Sequence, residues 1–176
     1  MNMIFQRALK LLGTRLLFVV LSVFFLMPFS WLIKFEQGFL YYSILSSIFY
    51  LGYIYSDIHS AGASDIRKKC AHPANGFLAG AFSEVVTILI IVVLLIVQGG
   101  GYFRNINIAF IVWVSPFIGF LNLPAGEFLN MASITPNYFF VTLPVPIVSA
   151  LGYIAGMRSI TILANRKCIK DNNDDN

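Results

Sequence analysis

The sequence predicts an all-α integral membrane protein: a bundle of four transmembrane helices with a re-entrant or interfacial segment between the third and the fourth. Three observations carry this. Hydrophobic residues fill 58% of the 176 positions and charged residues only 11%, against about 25% charged in a water-soluble domain. The few charges leave uncharged stretches of bilayer length between them. The basic residues gather at sites that an even number of crossings places on one side of a membrane. Such a composition excludes an ordinary cytosolic enzyme, a nucleic-acid-binding module and a disordered chain.

Between Arg15 and Lys34 lie 18 uncharged residues, LLFVVLSVFFLMPFSWLI, close to the ~20 that a helix needs to cross hydrocarbon. They define the first span, about 15–34. Its basic start resembles a signal peptide, but the apolar run is long and Pro28-Phe29-Ser30 is a poor cleavage context, so the segment reads as retained. Glu36 and Asp57 bracket 20 more uncharged residues, the second span at 38–57. The third, 76–98, carries one charge, Glu84, and ends at Gly99, Gly100 and Gly101. The last span lies at 138–157, with Pro144 and Pro146 expected to kink or loosen its outer half.

The stretch 105–124 is the doubtful crossing. It is interrupted by Pro116, Gly119 and Pro124, and irregular backbone at membrane depth is tolerated where protein or a water-filled cavity covers it. Basic residues decide the count. Arg7, Lys10 and Arg15, then Arg67, Lys68 and Lys69, then Arg158, Arg166, Lys167 and Lys170 all belong on the cytoplasmic side. Four crossings satisfy all three groups and put both termini in the cytoplasm. Five transmembrane helices, with a proline-kinked 105–124, are the alternative. The chain then reads as one helical domain, 1–170, followed by a disordered acidic tail, 171–176.

The connection from Asp57 to Gly76 reads as a solvated loop holding both histidines, His59 and His72, and Cys70. With Cys168 these make no set with zinc-ligand spacing, so no metal and no cofactor are expected. Arg67, Lys68 and Lys69 are a membrane-surface group suited to anionic headgroups; three residues do not make a nucleic-acid patch.

Glu84 is the first place to look for function, because an ionisable residue inside a span is costly and rare. Gly76, Gly80, Glu84 and Thr87 recur at helical spacing, a small and polar stripe that should face protein. A second stripe, Tyr42, Ser46, Tyr50, Tyr53 and Asp57, offers hydroxyls as its partner. Counting depth from the cytoplasmic ends puts Ser22, Tyr50 and Ser149 within about a turn of Glu84, so these four form the candidate intramembrane polar site. Two roles stay open for Glu84: a proton- or cation-binding group in a transport pathway, or a protonated clamp between helices, which Glu84→Gln would leave folded. Gly76–Gly80 and Gly152–Gly156 are G-x-x-x-G pairs that pack the third helix on the last or form a dimer contact.

No histidine lies in a span and no G-x-S-x-G, H-E-x-x-H or P-loop occurs, so no enzyme is expected. The expected role is a non-enzymatic accessory or interaction component. A small transporter or channel-like protein using Glu84, or the membrane subunit of an ATP-driven transporter, are the alternatives. Its partners would be the lipid bilayer, anionic headgroups and another membrane protein or a second copy, with no nucleic acid.

Tyr55, Gly62-Ala63-Ser64-Asp65, the basic run, Gly76-Phe77-Leu78-Ala79-Gly80 and Gly152-Tyr153-Ile154-Ala155-Gly156-Met157-Arg158 together resemble a family of uncharacterised multi-pass membrane proteins of Gram-positive bacteria. The resemblance covers most of the chain after residue 40. It implies a small plasma-membrane protein and no particular activity. His59 stands where the family tends to have an aromatic residue, a proline expected near Val86 is missing, and Glu84 is not a family feature.

Overall fold

In the computed structural model the described residues are 2–26, 38–97, 103–117 and 136–174, and among them there is no strand. The described residues form five α-helices: α1 (Asn2–Leu26), α2 (Gly38–Arg67), α3 (Ala74–Val97), α4 (Phe103–Trp113) and α5 (Pro144–Asp174), the last preceded by a 3-10 helix, Pro136–Thr142. The fold class is all-α. Residues 27–34 of the first expected span, the Gly99–Gly101 stop and 118–124 of the expected re-entrant segment lie outside the described residues.

Helix α1 starts thirteen residues before Arg15, because nothing in that stretch breaks a helix. Ala8, Leu11, Arg15, Val19 and Ser22 form its buried stripe, so Arg15 sits within the helix and does not bound it. Helix α2 likewise runs ten residues beyond its expected end and takes up most of the supposed loop. Asp57 and Asp65, which there read as solvated, are paired with Lys10 and Arg7. The helix closes in a Schellman turn: Cys70 N–H donates to Asp65 O, Lys69 N–H donates to Ile66 O, and Lys69 takes the left-handed φ of 55°. His72 then starts α3, its Nδ1 accepting from Ala74 N–H at 3.3 Å. His59 stacks against Tyr55 one turn away. No group of three or more metal-ligating side chains occurs among the described residues.

Helix α3 buries Gly76, Ala79, Gly80, Ser83, Glu84, Thr87, Ile91 and Leu94. That is one 3.6-residue face; Phe82, Leu89 and Ile96 point outward on the other. At 11 residues α4 is about 16 Å long, too short to cross ~30 Å of hydrocarbon alone. Its C-terminal turn docks instead: Pro116 O accepts hydroxyl hydrogen bonds from Ser46 and Ser47 of α2, at 2.9 and 2.7 Å. Pro144 and Pro146 do not kink a helix. They occupy the first turn of α5, where a missing N–H and a fixed φ are tolerated. Helix α5 continues to Asp174, so residues 171–174 of the acidic tail are helical.

Contacts fix the directions. Along α1, Arg7 meets Asp65, Lys10 meets Asp57, and Ser22 O accepts from Tyr42 Oη, so α1 and α2 are antiparallel. Gly152 lies on Tyr55 and Gly156 on His59, making α5 parallel to α2; Gly76 on Tyr153 and Gly80 on Pro146 make it antiparallel to α3. The four long helices thus alternate in direction, with α5 packed against both α2 and α3. The start of α1, the α2–α3 connection and the middle of α5 share one end. Large apolar side chains remain exposed on every long helix, among them Phe24, Phe49, Leu89 and Leu151. Two segments, Ala74–Val97 and Tyr138–Ile160, are long and apolar enough to cross a membrane.

Candidate functional site

Three residues supplied by three helices make the centre. Arg15, from α1, points one guanidinium nitrogen, Nη1, at both carboxylate oxygens of Glu84 in α3. Each side chain is 2% exposed. Trp113, at the end of α4, lies over the guanidinium with its ring centroid 5.2 Å from Cζ, a cation–π contact worth about 2 kcal/mol when desolvated. The indole N–H donates to Thr87 Oγ1 at 3.1 Å, and Thr87 also hydrogen-bonds Glu84. The cation, the anion and the aromatic cap therefore tie α1, α3 and α4 at one point.

The Glu84 partner is Arg15, not the hydroxyl stripe of the second helix. The reason is rotational: the face of α2 that turns inward runs Ser43, Ser47, Tyr50, Ile54, Ile58 and Asp65, which leaves Tyr53 about half exposed. Tyr50 is buried within electrostatic reach of Arg15 and Glu84, and packs on Phe18 and Phe117 at ring separations of 5.3 and 5.7 Å. Ser22 is committed elsewhere, to Ser115 Oγ and Val19 O. Ser149 is buried beneath Gly80, its hydroxyl without a hydrogen-bond partner among the described residues. Of the four expected site residues, Tyr50 alone stands beside Glu84 electrostatically. Gly76 and Gly80 admit Tyr153, Ser149 and Pro146 of α5, whereas Gly152 and Gly156 admit α2.

A second polar centre, which the sequence pattern does not predict, forms around Asp65. Arg7 donates from two nitrogens to Asp65, at 2.6 and 2.5 Å, and Tyr153 Oη donates to Asp65 Oδ2 at 2.6 Å. Asn75 donates to Tyr153 Oη at 3.4 Å, and the Arg7 guanidinium lies 5.7 Å from the Tyr153 ring centroid. Three helices thus meet at one carboxylate, and α3 joins them through Asn75 on the Tyr153 hydroxyl. Gly62 and Gly76 make room for Tyr153 by lacking a Cβ. Asp65 and Tyr153 lie in short glycine-led segments, Gly62–Asp65 and Gly152–Arg158, and those glycines are the signal the sequence offers.

Burial by itself would raise the Asp65 carboxyl; hydrogen bonds from Arg7 and Tyr153 outweigh it and hold the group below the usual carboxylate range. A depressed carboxylate contributes stability that is present above the unfolded-state pKa of about 3.9 and lost as pH falls through the lower folded-state value. Asp65→Asn is expected to melt below the parent in detergent at neutral pH. The gap should narrow as pH falls below about 4; a gap constant down to acid would remove Asp65 from this role.

A buried, capped ion pair and a three-helix carboxylate clamp define a helical bundle with polar locks. Comparison of the chain with protein-family models, curated proteins and solved structures finds no match.

Proposed function

We propose that the chain is a multi-pass integral protein of a bacterial plasma membrane, crossing four times, that acts as a non-enzymatic accessory or interaction component. The crossings are α1, α2, α3 and the Tyr138–Ile160 segment, with both ends in the cytoplasm. The observation that carries the reading is the buried Arg15–Glu84 pair inside a bundle whose outer surface is apolar. Charges so deep are retained where they neutralise each other, and apolar side chains face outward where lipid is the solvent.

Alternating helix directions support an even number of crossings. They bring the start of α1, with Arg7 and Lys10, to the same end as Arg67, Lys68 and Lys69, as the positive-inside rule requires of a cytoplasmic face. A transport role for Glu84 would require its carboxylate to exchange with water or a cation, and Arg15 holds both its oxygens. An inert clamp fits a component that works through its helix surfaces.

Reporter fusions test the topology. A fusion after Asn176 and one within 68–73 should both show cytoplasmic-type activity, and one within 98–102 should show the opposite. External activity after Asn176 would remove the four-crossing reading.

A further inference from the structure

We propose that the turn closing α2 is a binding site for the phosphate headgroup of an anionic phospholipid, held by Arg67, Lys68 and Lys69. The proposal rests on the membrane reading above and adds the partner and the residues that meet it.

At this end of the bundle Asp57 and Asp65 are the acids whose side chains are described, and both are consumed internally, by Lys10 and Arg7. Asp65 is 1% exposed beneath the turn, shielded by Arg7 and Tyr153. Arg67, Lys68 and Lys69 are all exposed, and none has an ion-pair partner among the described residues. Arg158 is also exposed, two residues beyond the Gly156 contact with His59, and adds positive charge to the same end.

Three successive residues on a continuing helix would point about 100° apart. The Schellman closure ends the helix here: Lys69 adopts φ 55°, a conformation that glycine usually supplies. Lysine at that position places a third cation on the turn itself. Three successive exposed cations at the end of α2, above a carboxylate that Arg7 neutralises and whose field also reaches Lys68, suit a phosphodiester. At the level where α2 leaves the proposed bilayer, the phosphate of a lipid is the anion present at high local concentration.

The test uses the full chain reconstituted into vesicles of phosphatidylcholine alone and of phosphatidylcholine with phosphatidylglycerol. Lipid retained after mild solubilisation is then counted by native mass spectrometry. The parent should retain phosphatidylglycerol in preference to phosphatidylcholine. The triple variant Arg67→Gln/Lys68→Gln/Lys69→Gln should lose that preference by on the order of a hundredfold, about fivefold for each basic residue, while floating and keeping its helix content. Arg67→Lys, which keeps the charge, should retain it, and rising salt should erode it. Equal retention by parent and triple variant would overturn the proposal. So would complete displacement of the lipid by an equal concentration of inorganic phosphate, which would assign the site to free phosphate. A parent that floats with both vesicles but shows no preference sinks the headgroup site alone; a parent that floats with neither sinks the membrane reading and the site together.

Discussion

Glu84→Gln is expected to destabilise the folded chain by about 3–5 kcal/mol, the usual cost of breaking a buried ion pair from one side. The substitution is nearly isosteric, so the loss does not come from packing. It comes from Arg15, whose guanidinium would be left buried without its anion. Arg15→Leu should cost a similar amount by stranding Glu84. Were Glu84 a neutral polar clamp, a change there would cost only about 0.6–2 kcal/mol and Gln would serve as well as Glu; the pairing with Arg15 reverses that expectation. The double variant Arg15→Met/Glu84→Leu separates the two accounts, because replacing both partners with apolar residues is often neutral or stabilising. Thermal unfolding in detergent should therefore rank parent and double variant together, well above either single change. A Glu84→Gln protein as stable as the parent would show that the pair does not hold α1. A double variant no better than the singles would show that the charges serve something besides each other.

The reading of Glu84 illustrates what the sequence makes legible. Its place on a buried face was open to inspection, because Gly76, Gly80 and Thr87 share its helical spacing and the residues between them are large and apolar. Its partner is hidden because charged residues ordinarily mark the ends of a span. Taking charges as boundaries places Arg15 at a membrane edge, so a basic residue one turn from Leu11 and one from Val19 is not considered as buried. The spacing of Ala8, Leu11, Arg15, Val19 and Ser22 carried the signal, a helical stripe with a cation in its middle. Tyrosine misled in a different way. Its ring is apolar and its hydroxyl polar, so a stripe of Tyr42, Tyr50 and Tyr53 fits an interior or an exterior face equally well, and Tyr53 faces outward. Arg7 and Asp65 are 58 positions apart, and no local pattern links them. The prolines of α5 were ambiguous for a local reason: two residues apart, they suit a first turn, but only the 3-10 helix before them shows that the α-helix begins there.

Gly156→Ala is the second change with a large expected effect, a loss of about 3 kcal/mol in the range of severe overpacking. A Cβ at this position would fall on the carbonyl oxygen of His59 and 3.1 Å from the backbone N of Ala63. Both obstacles are main-chain atoms of α2, so no side chain can rotate away and the helices must separate. Gly152 is the milder case, its nearest obstacle being Tyr55 O at 2.9 Å, and its alanine variant should lose less. Glycine content alone does not decide the outcome. Gly13 and Gly52 have nothing within 4 Å of an added Cβ, so alanine there should be neutral or stabilising by up to about 1 kcal/mol, the helix-propensity difference. A G-x-x-x-G pattern in the sequence marks a close approach without naming the neighbour. Gly76 and Gly80 receive α5, while Gly152 and Gly156 of α5 receive α2, so α5 is gripped on two faces by glycines from two different pairs. Unfolding of Gly156→Ala, Gly152→Ala, Gly13→Ala and Gly52→Ala in one detergent should separate the first two from the last two. If Gly156→Ala unfolded with the parent, α2 and α5 would not be as close as their carbonyl contact requires, and the parallel packing of these two helices would have to be revised.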